Sequence, residues 1–143
     1  MSADALDRVL WVLRRTELAV QALKEQRLRP LGMAPAHYSL LIALQSVPGI
    51  TGAELSRRLS VTPQAVASLL TRLEARGQLE RRVHPRHRHV QELHLTEAGR
   101  DALRQADPVI AEIDQQVNGK LGPEGVAQLK TLLEQVADAV RET

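Results

Sequence analysis

The chain has 143 residues, 43% hydrophobic and 25% charged, which fits one domain, or one domain with an extension, that folds without disulfide or metal. With no cysteine, disulfide frameworks, thiol nucleophiles and cysteine-based metal or redox sites are excluded. No run approaches the roughly 20 apolar residues of a membrane span, and Asp4, Asp7 and Arg8 break the pattern of a signal peptide, so the expected compartment is the cytoplasm, with no membrane partner.

The net charge of +2 conceals an asymmetry. From Gly52 to Arg100 there are nine arginines, no lysine and five glutamates, together with four of the five histidines. From Asp101 onward four bases face eight acids. Arginine's planar fork suits phosphate and guanine better than lysine's point charge does.

Leu6, Val9, Leu10, Leu13, Val20 and Leu23 recur at helical spacing and predict a first helix from about Asp4 to about Leu28, ended by Pro30 and Gly32. Pro35 opens a second helix with Tyr38, Leu41 and Ile42 on one stripe, and Pro48-Gly49 closes it. Thr51 and Glu54 have capping-box spacing before a short helix with Ala53, Leu55 and Leu59 inward. After a tight connection at Ser60-Val61, Thr62-Pro63 caps another helix that stops at Gly77. Its Val66, Leu69, Leu70 and Leu73 fall on one side, and Gln64, Ser68, Thr71, Arg72 and Ala75 on the other, with no acid among the latter.

Beyond Gly77 the period becomes two. Leu79, Arg81 and Val83 form one strand pattern and Leu93 and Leu95 another, around the basic loop His84-Pro85-Arg86-His87-Arg88-His89, which predicts an antiparallel hairpin or wing. Thr96 caps a further helix carrying Leu103, Val109, Ile110, Ile113, Val117 and Leu121, with a bend expected at Pro108 and a break at Gly122-Pro123. A last helix follows with Val126, Leu129, Leu133, Val136 and Val140. The expected fold is mainly α with a small β-hairpin wing, a winged helix-turn-helix with long flanking dimerisation helices. The expected division is a dimerisation helix over 1–34, a winged lobe over 35–100 and dimerisation helices over 101–143.

This order of elements resembles the multiple antibiotic resistance regulator (MarR) family of winged-helix transcription factors. "ELSRRLSVTPQAVASLLTRLEARGQLERR" is similar to the family's helix-turn-helix, and "LHLTEAG" to the end of its wing. The resemblance implies a homodimeric regulator of palindromic promoter DNA. It also implies release of the DNA by a small aromatic or anionic effector bound between the dimer helices and the DNA-binding lobe. Expected DNA-contacting residues are Thr62, Gln64, Ala65, Ser68, Thr71 and Arg72 on the recognition helix and Arg86, His87, Arg88 and His89 on the wing. Trp11, Arg15, His37, Tyr38 and Leu41 are the positions expected for an effector pocket. Where the family's wing reads Asp-Arg-Arg, this chain has His87, Arg88 and His89, so the bracing aspartate and the second arginine are both replaced.

Other classes are weaker. No nucleophile motif, glycine-rich phosphate loop or isolated carboxylate pair marks an enzyme, and neither catalytic residues nor a cofactor are expected. A metal-responsive regulator using His84, His87, His89 and His94 is one alternative, opposed by the arginines between them. A winged-helix protein-interaction module is another, and it calls for apolar anchors where this helix carries Gln64, Ser68, Thr71 and Arg72.

Overall fold

The structure, a computed structural model, describes residues 4–142. Asp4 Oδ1 accepts the Leu6 N–H at 3.0 Å and starts a 3-10 turn over Ala5–Asp7. Arg8 is then extended, so helix α1 covers Val9–Leu28 instead of beginning at Asp4. A second 3-10 turn, Arg29–Leu31, leads into Gly32 at φ 66°, a left-handed conformation that glycine adopts without strain. Helix α2, Pro35–Ser46, follows with proline in its first turn.

Helix α3 spans Gly52–Leu59 and α4 spans Pro63–Ala75. Thr51 Oγ1 accepts the Glu54 N–H at 3.2 Å, and its own hydroxyl donates to Glu54 Oε1 at 3.2 Å. Leu55 is buried and Leu59 half-buried, but Ala53 is exposed, contrary to the periodic reading. At about 100° per residue, Ala53 lies some 200° from Leu55, whereas Leu59 lies about 40° away. Thr62 Oγ1 accepts the Ala65 N–H at 3.1 Å and opens α4. Gly77, at φ 70°, closes it, with the Gln78 N–H donating to the Leu73 carbonyl at 2.9 Å.

Strands β1, Leu79–Val83, and β2, Gln91–Leu95, pair antiparallel in the expected register, Leu79 opposite Leu95 and Arg81 opposite Leu93. The Gly49 N–H and Ile50 carbonyl bond Leu93 from the other edge of β2, at 3.1 and 3.0 Å. Thr96 Oγ1 then accepts the Gly99 N–H at 3.2 Å and starts α5, Glu97–Arg141. Helical angles persist through Pro108, where a bend was expected, and are lost only at Gly122 (φ 73°, ψ 166°). Pro108 removes the donor that would bond the Arg104 carbonyl, and exposed Arg104 leaves that carbonyl accessible to water.

The chain divides into two units, one through Pro108 and one from Val109. In the first, Leu28, Leu40, Leu41, Leu44, Ile50, Leu55, Leu73, Leu93 and Leu103 are almost wholly buried, so all five helices and the hairpin contribute to one leucine-rich core. The second continues α5, with Leu121, Leu129, Leu132, Leu133 and Val140 exposed. Among the described residues no helix is long and apolar enough to cross a membrane.

Candidate nucleic-acid interface

The inward side of α4, Val66, Leu70 and Leu73, is fixed in the core, so the opposite side is set without further choice. Gln64, Ala65, Ser68, Thr71, Arg72 and Ala75 are all exposed there, as their spacing predicted. Two hydroxyls among the expected contacts already have local work. Thr62 caps the helix, and Thr71 Oγ1 donates to the Ala67 carbonyl at 3.0 Å. Gln64 and Ser68 carry no such bond and present free polar groups. The helix begins with a threonine cap and proline, so its free N–H groups and positive dipole end also face outward.

Ion pairing sorts the arginines in a way that counting cannot. Arg81 pairs with Glu74 at 3.3 Å, Arg82 with Glu80 at 2.5 Å, and Arg100 with Glu97 at 3.1 Å. Arg76 donates to the Gly32 carbonyl at 3.0 Å. Among the described residues Arg72, Arg86 and Arg88 have no ion pair, and all three are exposed. Arg57 and Arg58 near the end of α3 share that condition and were not singled out in the sequence. Their signal was available: they lack an acid three or four residues away on α3.

The wing loop runs from His84 to Val90, and Arg86, His87, Arg88 and His89 are exposed on it. Its histidine rings are neighbours, His84 to His87 at 5.1 Å between centroids and His87 to His89 at 6.1 Å. His84 Nδ1 accepts two backbone N–H groups, from Arg86 at 3.1 Å and His87 at 3.2 Å. Its ring proton therefore sits on Nε2, 3.9 Å from Glu92 Oε2, while His94 Nε2 lies 3.4 Å from Glu92 Oε1. A ring so committed at Nδ1 has no free lone pair for a metal, which weighs against the wing-histidine metal reading. A cavity of about 530 Å³ lies at the base of the wing, lined by residues that include Thr51, Leu70, Arg81, Arg88 and His89.

The positions expected for an effector fall into two groups. His37, Tyr38 and Leu41 lie together on α2, with His37 and Leu41 buried and Tyr38 half-buried. Trp11 and Arg15 are exposed on α1. The Tyr38 hydroxyl donates to Asp107 Oδ1 at 2.7 Å, and burial together with that carboxylate raises its pKa far above the usual phenol. His37 Nδ1 accepts the Ala34 N–H at 3.5 Å, and its Nε2 is buried without a hydrogen-bond partner among the described residues. Burial first, then the charges of Arg76 and Arg72, hold its pKa below the ordinary imidazole value. At the adjoining turn a cavity of about 340 Å³ is lined by Glu25, Arg29, Gly32, Met33, Ala34 and Pro35.

Three comparisons bear on this geometry. A family model described as "MarR family" matches residues 31–88. The HTH-type transcriptional repressor Rv2887 of Mycobacterium tuberculosis (strain ATCC 25618 / H37Rv) is 32% identical over 109 residues, covering 76% of this chain and 78% of that protein. Among solved structures, the transcriptional repressor CouR bound to a 23-mer DNA duplex is 26% identical with a TM-score of 0.85, covering 95% of this chain and 99% of that one. The Mycobacterium tuberculosis MarR family protein Rv2887 in complex with salicylic acid is 29% identical with a TM-score of 0.73, again covering 95% and 99%.

Proposed function

The chain belongs to the MarR family, and from that premise we propose that it is a ligand-responsive transcriptional repressor that binds a palindromic promoter site as a homodimer. The observation that carries the DNA-binding reading is the exposed, acid-free side of α4 beside a wing whose Arg86 and Arg88 have no ion pair among the described residues. Gln64 and Ser68 read base edges in the major groove, Gln64 being able to pair bidentately with adenine. Arg72 takes a phosphate or guanine, and Thr62, Ala65 and Thr71 pack along the groove. Arg86, His87, Arg88 and His89 meet the backbone or minor groove beside it. The similar CouR structure, which contains a DNA duplex, supports this arrangement.

The dimer reading rests on the exposed Leu10, Trp11 and Val12 of α1 and the exposed leucines of α5, more apolar surface than a monomer usually shows. In this reading residues 1–34 and 101–143 form the dimer and 35–100 the DNA-binding lobe. For the effector, the salicylic acid complex of the similar Rv2887 favours a small aromatic acid. Here it would be received near His37 and Tyr38 on α2, with Leu41 behind them and Trp11 and Arg15 contributed by α1.

The deciding experiment is duplex selection from a random library with the purified protein, followed by fluorescence anisotropy on the selected site. A site bound at least a hundredfold more tightly than random duplex supports the reading, and equal affinity for both overturns it. Replacing Gln64 by Ala should relax preference at one base pair by about 1–3 kcal/mol.

A further inference from the structure

The wing tip has no buried side chain to hold it, and Arg86, His87, Arg88 and His89 are all exposed. A seven-residue loop carrying that much charge would ordinarily sample many conformations, and docking it on DNA would cost the entropy of ordering it. This loop instead converges on His84. The His84 N–H donates to the Val90 carbonyl at 2.9 Å and closes the loop's base. Its Nδ1 accepts the N–H groups of Arg86 and His87 at 3.1 and 3.2 Å, the geometry that an asparagine or aspartate supplies when it caps a turn. The Val90 N–H then bonds the His87 carbonyl at 2.9 Å. On the other side of the ring, Glu92 Oε2 lies 3.9 Å from Nε2 and favours the proton there, leaving Nδ1 free to accept.

We propose that His84 is a positioning residue for DNA binding: its side chain clamps the wing turn and so presets Arg86 and Arg88. The proposal rests on the DNA-binding reading above and adds the residue that gives the wing its shape. It also supplies, from the strand side, a brace of the kind that the aspartate replaced by His87 would give.

Three measurements on the full-length protein test it. The first needs no DNA. In nitrogen-15 spectra, His84→Ala should accelerate solvent exchange of the Arg86 and His87 amides by at least tenfold and leave amides of the α4 core unchanged. The second is affinity for the selected site, where His84→Ala should weaken binding by about three- to tenfold, the scale of losing one or two hydrogen bonds. His84→Asn, whose carbonyl can accept the same two N–H groups, should restore it. The third is a mutant cycle, because a clamp acting through the arginines has no effect once Arg86→Gln and Arg88→Gln are in place.

Unchanged amide exchange in His84→Ala, or a loss of affinity that persists in the double-arginine background, overturns the clamp. Specific binding by the wild type that His84→Ala leaves unmoved overturns this role alone. A wild type that binds all duplexes alike overturns the functional reading, and this role with it.

Discussion

Gly99 lies against the carbonyl of Gln78 so closely that a β-carbon on it would stand 2.1 Å from that oxygen and 2.9 Å from Leu95 Cδ2. The first turn of α5 is thereby seated on the turn between α4 and β1. The Gln78 carbonyl also accepts the Thr96 N–H at 3.2 Å, so it cannot retreat without losing that bond. Gly99→Ala should therefore destabilise the fold by about 1–3 kcal/mol, the cost of overpacking a tight contact. Urea denaturation followed by circular dichroism checks this, and an unchanged midpoint would show that the turn yields freely.

His37 predicts how stability responds to acid. Its pKa is lowered by burial and by Arg76 and Arg72, so the folded chain binds fewer protons there than the unfolded chain. Stability then rises with pH across that window. The contribution is complete above the unfolded value of about 6.5 and is lost as pH falls from there toward the depressed folded value. His37→Gln should flatten the decline between pH 7 and 5 in denaturation midpoints.

The wing histidines act on affinity in the opposite direction. Where His87 or His89 faces a phosphate, the complex favours the protonated ring, and linkage requires proton uptake on binding. Affinity should rise from about pH 8 to pH 6, and the salt slope should steepen by up to about 0.9 per phosphate newly neutralised. Acid also turns the His84 acceptor into a donor and loosens the clamp. Measurements in a His84→Asn background separate the two effects. A pH dependence there that survives His87→Gln with His89→Gln would remove both rings from the interface.

Ser60 joins α3 to α4 with φ 54° and ψ 42°, the one positive φ outside glycine among the described residues. That conformation costs a side-chain-bearing residue about 1–2 kcal/mol, offset in part by glycine's larger unfolded-state entropy of about 0.5–1 kcal/mol. Ser60→Gly should stabilise by up to about 1 kcal/mol, and the β-branched Ser60→Val should destabilise, both read from denaturation midpoints.

If the exposed leucines are a dimer surface, sedimentation at micromolar concentration should give twice the chain mass. Leu132→Glu, placed on a 57% exposed residue, should leave the helix content of an isolated chain intact yet shift the equilibrium toward monomer. A monomeric wild type would overturn that assignment.

The features legible in the sequence are those whose cause is local. Thr51, Thr62 and Gly77 each announce a helix end by chemistry within four residues, and the period-two pattern fixed the hairpin register because one slip would expose Leu79 and Leu93. Ala53 was misread because an eight-residue helix gives periodicity too few points to settle its face. The sorting of arginines was hidden because Arg81 meets Glu74 across two elements, a proximity that only folding creates. The His84 clamp was hidden for a different reason: nothing in its spacing says which ring nitrogen faces the turn. Likewise "LHLTEAG" was recognisable as a motif, but the need for glycine at 99 depends on a carbonyl twenty-one residues earlier.

Trp11 is the chain's single tryptophan, 43% exposed on α1, and the sequence contains no phenylalanine. The molecule thus carries one strong fluorophore, on the segment assigned to the second copy and away from α4 and the wing. Association of chains should dry the indole and move its emission to the blue, whereas adding duplex DNA to a preformed dimer should leave the wavelength where it is. One optical signal therefore distinguishes assembly from DNA capture, with no label attached to either.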